Sequence, residues 1–257
     1  MADYTGSDIA AALAAVGVTA GAAVFSHSNV GFFGRLEGAT TPAACWEIYR
    51  SAIFEVLGAS GTFAVPTFSY SSCNGRPFDP AVTPGQCGML SEWVRLDSAA
   101  VRSADPNFSV AAIGRAAHAL CDDVGVHPFG PDSFWARFLA NDGWLVNLNF
   151  DAGTTFQHFV ERELRVPYRW DKSFRGMCRV DGTWVERESW HYVFDHAVAE
   201  HFPDFGKLHR AAIEAGVLKS AQLGRGMVVA VRVADLDRII RRELPRRPDF
   251  LIEGRPA

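Results

Sequence analysis

The chain has 257 residues, of which 48% are hydrophobic and 21% are charged, and its net charge is -4. This size and composition predict a globular protein with one substantial core, a single domain over residues 1–257. The acidic balance and the scattered basic residues disfavour a nucleic-acid ligand. No basic start precedes an apolar run, and no apolar run approaches the roughly 20 residues of a membrane span. We therefore expect a cytoplasmic protein with no membrane contact.

The cysteines indicate a reducing compartment. They are odd in number and widely spaced, and no two stand at C-x-x-C spacing. This pattern predicts free thiols and no structural zinc. The five residues are Cys45, Cys73, Cys87, Cys121 and Cys178.

The first quarter of the chain predicts alternating helices and strands. Residues 8–16 predict a helix capped by Thr5 or Ser7, and residues 22–26 predict a buried strand. That strand leads into the turn-rich segment HSNVGFFG at residues 27–34. Residues 43–57 then carry apolar side chains at helical spacing and predict a second helix.

The next strand and the loop after it suggest a binding region. Residues 61–68 predict a strand that Pro66 interrupts, so we expect its hydrogen bonding to lapse and the backbone near Thr67 to face a ligand. Residues 69–88 are rich in proline and glycine and form a long irregular loop. Such a loop is unusual in a compact domain unless it covers a site, so we interpret it as a lid or wall.

The middle of the chain continues the alternation. A short helix is predicted over residues 90–96, a strand over residues 110–113, and a helix over residues 116–124. A further helix over residues 133–140, capped by Asp132 or Ser133, leads into a buried strand over residues 144–150. This strand ends at a tight turn over residues 151–153.

The helix after this turn contains the strongest candidate for catalysis. If the segment from Thr155 is helical, His158 and Glu161 lie one turn apart on the same face, where a carboxylate can orient an imidazole. The end of a strand in an α/β sheet is also where such proteins place their chemistry. The competing interpretation is a buried structural histidine among Phe156, Phe159 and Val160.

The last third of the chain predicts a hairpin and two more helices. Asp181-Gly182 stands between alternating segments and predicts a hairpin over residues 179–192. A helix is predicted over residues 205–215, a strand over residues 227–233, and a final helix over residues 233–244. The alternation of strands and helices favours an α/β sandwich.

Several spaced motifs in this order resemble those of the aminoglycoside 3-N-acetyltransferase family, from about residue 17 to about residue 236. The resemblance implies a layered α/β/α sandwich with a central mixed sheet, of the antibiotic N-acetyltransferase type. It also implies an acetyl-CoA-dependent N-acetyltransferase without a metal. The motifs are GVTAGAAVFSHSNVGFFG, GTFAVPTFSY, PFDPAVTPGQCGML, VRSADPNFSVAAIG, HPFGPDSFWARF and TTFQHFVERELRVPYR.

The resemblance assigns His158 the part of the general base that takes a proton from the attacking amine. A neutral imidazole with a pKa near 6.5 suits that task at neutral pH. Glu161 is our candidate for the carboxylate that orients it. Glu163, Glu186 and Glu188 remain rivals for that position.

The same resemblance implies a set of CoA contacts. The loop after the first strand matches the segment that receives the pyrophosphate, and the VRSADPNFSVAA segment matches the one along the pantetheine arm. Asp105 and Phe108 stand here where family members commonly carry histidines. The predicted CoA-binding residues are His27, Ser28, Asn29, Thr67, Arg102, Ser103, Ser109 and Val110.

The predicted acceptor region is basic and aromatic, whereas a polycationic aminoglycoside needs converging carboxylates. We therefore expect the amine of an amino sugar, a nucleotide-linked amino sugar or a related metabolite as acceptor, with an aminoglycoside as the alternative. The partners would be this amine and CoA, and a homodimer stays open. The predicted acceptor-binding residues are Tyr70, Asp79, Arg169, Lys172 and Glu188.

Three other classes of function compete with this one. A cysteine-dependent acyltransferase or hydrolase would pair Cys73 or Cys87 with His158. A metal enzyme would use the histidines at positions 191, 196 and 201, whose spacing of five does not stack side chains on one helix face. A CoA-binding module would retain the loop of residues 27–34 without catalysis.

Overall fold

The computed structural model describes residues 2–254, which contain a seven-stranded sheet and a separate two-stranded hairpin. Together the two sheets use nine strands within that range. The strands are β1 (Ala23–Phe25), β2 (Thr62–Pro66), β3 (Val101–Arg102), β4 (Val110–Gly114), β5 (Trp144–Leu148), β6 (Arg169–Val180), β7 (Thr183–Phe194), β8 (Lys219–Leu223) and β9 (Gly226–Arg232).

The large sheet is mixed, with the order β3-β4-β2-β1-β5-β9-β8. Its three central strands, β2, β1 and β5, are parallel to one another, and every other pairing is antiparallel. The carboxyl ends of the three parallel strands therefore meet at one edge, where α/β sheets usually bind ligands. The loops after β1 and β5 are neighbours at this edge.

Helices cover both faces of the sheet. The α-helices in the described residues are α1 (Gly6–Ala15), α2 (Pro42–Leu57), α3 (Met89–Leu96), α4 (Ala117–Cys121), α5 (Phe134–Ala140), α6 (Gln157–Glu163), α7 (Phe205–Glu214) and α8 (Val233–Glu243). Buried side chains of α1 to α3 form one core with Val24 and Phe63, and those of α4 to α8 form another with Phe25 and Leu145. Neighbouring strand residues point to opposite faces, which separates the two cores. The predicted α/β/α sandwich with a central mixed sheet is confirmed.

Polar caps define several helix starts as the sequence predicts. Thr5 and Asp8 form a capping box, in which the Asp8 N–H donates to Thr5 Oγ1 (3.2 Å) and the Thr5 N–H donates to Asp8 Oδ2 (2.8 Å). Thr41 caps α2 ahead of Pro42, and Ser133 caps α5. These local signals place the helices that carry the two cores.

The hairpin of β6 and β7 turns at Asp181-Gly182, where both residues have positive φ values (48° and 78°). Each strand has 12 residues, so the hairpin is much longer than the predicted segment over residues 179–192. Its strands are largely exposed, and the apolar alternation that marks a half-buried strand is weak there. The hairpin reaches the irregular loop over residues 69–88 through a β-bridge between Phe78 and Cys178.

Two parts of the sheet differ from the sequence predictions. The short edge strands β3 and β8 are not predicted, because neither carries a clear apolar alternation. The expectation that Pro66 frees the backbone near Thr67 is wrong. The pairing of β2 with β4 continues past Pro66, and the Thr67 N–H donates to the Ser109 carbonyl (2.8 Å).

Among residues 2–254, no helix combines the length and the apolar character needed to cross a membrane.

Candidate active site

Two loops meet at the carboxyl edge of the parallel strands. The chain after β1 continues beside the end of β5, with a parallel bridge between Ser28 and Leu148. The Leu148 N–H donates to the His27 carbonyl (2.9 Å), and the Asn29 N–H donates to the Leu148 carbonyl (2.8 Å). These bonds fix the predicted CoA loop next to the turn that leads into α6.

The side chain of Asn147 forms hydrogen bonds with both of these loops. It is a buried polar residue in the otherwise apolar strand β5. Its Oδ1 accepts from the His27 N–H (3.1 Å), and its Nδ2 donates to the carbonyls of Asp151 (2.5 Å) and Gly153 (3.1 Å). Because a buried amide is costly unless satisfied, these bonds tie both loops to one side chain.

The helix α6 presents His158 and Glu161 on one face, as the spacing predicts. The Nδ1 atom of His158 lies 2.5 Å from Oε2 of Glu161. The carboxylate accepts the hydrogen on Nδ1, so the tautomer assigned from this bond leaves the Nε2 lone pair free. Glu161 is fully buried, whereas the His158 side chain retains 13% exposure. This geometry suits an imidazole that acts as a base.

Three further groups hold Glu161. The Tyr168 hydroxyl donates to Oε1 (2.8 Å), and the Tyr192 hydroxyl donates to the Glu161 carbonyl (3.4 Å). Arg169 places Nε 3.1 Å from Oε2, an ion pair without the alignment of a hydrogen bond. A buried carboxylate needs such compensation, and these contacts hold Glu161 in place beside His158.

The protonation state of His158 follows from its surroundings. Burial lowers the pKa of the imidazole, the Arg169 guanidinium lowers it further, and Glu161 opposes both effects. The net direction is a pKa below the ordinary 6.5. His158 is therefore neutral at pH 7, which is the state that a general base requires.

His27, in the loop after β1, lies beside the start of α6. Its Nε2 is 3.3 Å from Thr155 Oγ1 and 3.4 Å from the Thr155 N–H, which makes Nε2 an acceptor. Burial, helped by the nearby His158, lowers the pKa of His27 to about 4. The His27 ring is therefore a neutral group that connects the predicted CoA loop to the start of α6.

A cleft of about 850 Å³ opens beside His158. One wall of the cleft is the face of the hairpin that carries Trp170, Lys172 and Phe174. No aspartate or glutamate belongs to the cleft lining found in the described residues. The lining consists of Tyr70, Cys73, Asn74, Phe108, His158, Arg169, Trp170, Lys172, Phe174, His191, Val193, Phe194, His196 and Pro203.

The structure brings three of the five predicted acceptor residues to this cleft. Tyr70, Arg169 and Lys172 line it, and Tyr70 comes from the loop over residues 69–88 that we interpret as a wall. Asp79 and Glu188 do not line it. Asp79 caps its own turn by accepting from the Ala81 N–H (2.9 Å). Glu188 pairs with Arg175 on the hairpin face opposite Lys172, because side chains alternate along a strand.

Five predicted CoA contacts form an internal network away from the cleft. Arg102 donates to the Thr67 carbonyl (2.8 Å) and to Ser109 Oγ (3.1 Å), and it donates further to carbonyls of the loop over residues 69–88. Ser103 Oγ accepts from the Val110 N–H (2.9 Å). These hydrogen bonds support the loop over residues 69–88, and a contact of these five residues with CoA stays a prediction.

Two of the rival mechanisms find little support in this geometry. Cys73 lines the cleft and Cys87 lies nearby in the loop, but burial raises the pKa of each thiol to about 11. A thiol of that kind carries almost no thiolate at pH 7. Across residues 2–254, no three His, Cys, Asp or Glu side chains are grouped as a metal site would require.

A second, mostly apolar cleft of about 350 Å³ lies next to the predicted CoA loop. Val30, Gly31, Met89 and Trp93 are among its walls, and it shares no lining residue with the cleft at His158. In the same loop, Ser28 Oγ is buried and has no hydrogen-bond partner among the described residues. The loop therefore offers an unused hydroxyl at the sheet edge.

A sequence model of the family "Aminoglycoside 3-N-acetyltransferase" matches residues 26–244, which is most of the chain. The chain belongs to the aminoglycoside 3-N-acetyltransferase family. This family membership makes it an N-acetyltransferase, an enzyme that transfers an acetyl group to an amine, and it confirms the resemblance carried by the motifs.

Curated relatives from actinobacteria agree with the family. The chain is 27% identical to aminoglycoside N(3)-acetyltransferase IX of Micromonospora chalcea, over 82% of this chain and 83% of the relative. It is 26% identical to aminoglycoside N(3)-acetyltransferase VIII of Streptomyces fradiae, over 88% of this chain and 86% of the relative. The N-acetyltransferase therefore aligns with these relatives over nearly their whole length.

Solved structures show the same fold. The aminoglycoside acetyltransferase AAC(3)-Xa superposes with a TM-score of 0.81 at 25% identity, over 93% of this chain and 92% of that one. AAC-IIIb, solved as a binary complex with CoASH, gives a TM-score of 0.81 at 22% identity over 98% of both chains. The fold of the N-acetyltransferase is thus that of the AAC(3) structures.

Sequence reasoning misses several residues of this site. Tyr168 and Tyr192 support Glu161, Asn147 joins the two loops, and His191 lines the cleft. Asn147 offered a signal, because it is a polar residue within an apolar strand. The two tyrosines offered none, because their contacts depend on how the hairpin packs against α6.

Proposed function

We propose that the enzyme transfers an acetyl group directly from acetyl-CoA to a primary amine, with His158 as the general base. The observation that carries this proposal is the neutral imidazole at the cleft, held by Glu161 through Nδ1 with Nε2 free. Nε2 removes a proton from the amine nitrogen as that nitrogen attacks the thioester carbonyl. The carbon–sulfur bond then breaks, the acetyl group stays on nitrogen, and the thiolate of CoA takes up a proton.

The ion pair between Glu161 and Arg169 fits this cycle of proton transfer. When His158 accepts the proton it becomes a cation, and Glu161 stabilises that cation at a distance of 2.5 Å. Arg169 contacts the same carboxylate oxygen and opposes the effect of Glu161 by lowering the pKa of His158. The base therefore returns to its neutral form readily at neutral pH, ready for the next acceptor.

We propose that CoA lies along the loop after β1. The loop brings His27, Ser28 and Asn29 to the edge that also carries α6. The buried and unpartnered Ser28 Oγ supports an interaction with a polar group of the ligand, since such a hydroxyl is costly if it stays unsatisfied. A structural neighbour solved with CoASH adds support for this cosubstrate.

For the acceptor, the comparisons support an aminoglycoside better than the nucleotide-linked amino sugar that the sequence favours. The curated relatives are named for acetylation of aminoglycosides at N(3). We therefore propose an aminoglycoside or a related amino sugar as the acceptor, with the aminoglycoside as the first class to test. The amine would enter the cleft between His158 and the hairpin wall.

A thiol-release assay with acetyl-CoA tests the proposal. The panel contains aminoglycosides, free and nucleotide-linked amino sugars, and simple alkyl amines. We expect thiol release that depends on both acetyl-CoA and one acceptor class, with the acetylated amine identified by mass spectrometry. Binding of CoA without thiol release for any amine would instead indicate a CoA-binding module.

A further inference from the structure

The cleft beside His158 has an excess of positive charge. Its lining contains Arg169 and Lys172 and no carboxylate among the described residues. Glu161 lies behind the lining and balances Arg169 at 3.1 Å. No ion pair of residues 2–254 includes Lys172, so the charge of this side chain is unmatched.

A second buried carboxylate, that of Asp105, does not change this balance. Asp105 lies outside the cleft lining. It accepts from the backbone N–H groups of Asn107 (2.7 Å) and Phe108 (2.8 Å). The Asp105 carboxylate is thus used by the backbone of its own turn. The cleft lining therefore offers a ligand no acidic side chain.

Two aromatic rings of the cleft already face cations of the protein itself. The ring of Phe174 already faces the Lys172 ammonium at 5.1 Å, and the ring of Phe194 faces the Arg169 guanidinium at 4.9 Å. Trp170 stays about half exposed and can pack against the apolar face of a sugar ring. The rings of Phe174 and Phe194 are therefore less available to an ammonium group of the acceptor.

The hairpin register places Lys172 where it can meet the acceptor. Lys172 pairs with His191 across the strands, and both side chains belong to the cleft face. Lys172 is exposed, whereas His158 is largely buried. In addition, Nη2 of Arg169 and Nδ1 of His191 are buried without hydrogen-bond partners.

We propose that the acceptor carries a phosphate or carboxylate beside its reacting amine, and that Lys172 pairs with this anion while the amine reaches His158. The inference rests on the proposed function and narrows its acceptor to an amino sugar or aminoglycoside with an anionic substituent. A charge-assisted contact of this kind gives orientation as well as affinity, because it fixes one end of the acceptor.

Matched acceptors test this inference. We compare glucosamine with glucosamine 6-phosphate and with 2-amino-2-deoxyglucuronic acid, and kanamycin with its 3′-phosphate, in the thiol-release assay at low and high salt. The anionic member of a pair should have a kcat/KM higher by about 10- to 100-fold, as expected for a hydrogen bond to a charged group. The two glucosamine derivatives distinguish a phosphate from a carboxylate. Added salt should reduce the advantage, because Lys172 is exposed.

Two variants test whether the preference for an anionic acceptor depends on the Lys172 side chain. Lys172→Ala should raise the KM of the anionic acceptor by about 10-fold and leave its kcat unchanged, which is the signature of lost binding. Arg175→Ala removes a cation from the opposite face of the same hairpin and is the matched control, expected to behave as wild type.

The outcomes separate this inference from the function on which it rests. Equal kcat/KM values within each pair, or an equal effect of Lys172→Ala on both members, would overturn the inference and leave the acetyltransferase intact. Absence of thiol release with every amine would overturn the proposed function and the inference with it.

Discussion

The Nδ1 atom of His158 lies 2.5 Å from Oε2 of Glu161, one helical turn along α6. The same carboxylate oxygen lies 3.1 Å from Nε of Arg169. Glu161 thus connects a neutral imidazole to a buried cation, and both of these side chains line the cleft. Removing Glu161 would change both the orientation of the base and the charge balance of the core.

We predict that Glu161→Gln lowers kcat by about 10²-fold or more, because the base loses its orienting carboxylate. The variant should also unfold more easily, since an unpaired buried guanidinium costs about 3–5 kcal/mol. Because Glu161 raises the pKa of His158, its loss should move the acid limb of the pH profile to lower pH. Steady-state kinetics across pH and urea unfolding measure these effects.

Glu163→Gln is the matched control for that variant. Glu163 lies two residues further along α6 and pairs with Arg241 at the surface. Exposed pairs contribute about 0–1 kcal/mol, so we expect nearly normal kinetics and stability. If the two variants proved equally active, Glu161 would have no part in positioning the base.

We predict that kcat/KM falls on the acid side with a midpoint below pH 6.5. Burial and Arg169 lower the pKa of His158, so the imidazole stays neutral until the pH drops below its ordinary value. NMR titration of the His158 ring, assigned by comparison with His158→Gln, gives the same pKa independently. A midpoint above 6.5 for this ring would contradict the electrostatics of the site.

The cysteines should be dispensable for transfer. The pKa of Cys73 and of Cys87 is raised to about 11 by burial, so neither thiol supplies a nucleophile at pH 7. Replacing both by alanine should change kcat/KM by less than about threefold, the range left by a modest repacking of the cleft wall. An inactive double variant that still folds would restore the covalent mechanism with Cys73 as the nucleophile.

Stability should fall as the pH drops below 6.5. Burial lowers the pKa of His27 and of His127 to about 4 and that of His191 to about 3. The unfolded chain then binds protons that the folded chain excludes, so the loss begins near 6.5 and continues down to these folded values. Each histidine contributes up to about 1.4 kcal/mol per pH unit within its window.

Urea unfolding at pH 7.5, 6 and 5 measures the slope of the unfolding free energy against pH. His127→Gln should flatten it, because glutamine can still bond to Asp171 as His127 Nε2 does at 2.8 Å but does not titrate. An unfolding free energy that stays constant from pH 7.5 to pH 5 would show that these rings are not buried in their neutral form.

The sequence predicted the parts of the site that depend on local geometry. His158 and Glu161 are three residues apart, so a helix alone brings them together. The parallel strands β1 and β5 place their following loops at one edge, which makes the position of His27 next to α6 understandable from the element order. Capping residues and turn residues likewise predicted most of the boundaries of the helices and strands.

Contacts that depend on packing between distant elements were not accessible in this way. Asn147 and His27 are 120 residues apart, and only the pairing of β1 with β5 brings them into contact. Arg102, Thr67 and Ser109 turn inward because β4 pairs with both β2 and β3, which no local pattern indicates. The internal hydrogen bonds of these residues were therefore not predicted, and their contact with CoA stays a prediction.

The hairpin gives an intermediate case. Its turn at Asp181-Gly182 was predicted, and the register that follows from it places Lys172 and Glu188 on opposite faces. The length of β6 was not predicted, because its exposed strand lacks a strong apolar alternation. Without that length the register could not be extended to residue 172, so the sequence did not indicate that Glu188 and Lys172 lie on opposite faces.

The most direct test of the account replaces His158. His158→Ala should reduce thiol release from acetyl-CoA by about 10²- to 10⁴-fold, because it removes the base and leaves the pair between Glu161 and Arg169 in place. CoA binding, measured by calorimetry, should be unchanged, and the exposed His118→Ala should behave as wild type. Normal turnover by a folded His158→Ala enzyme would contradict the assignment of His158 as the general base.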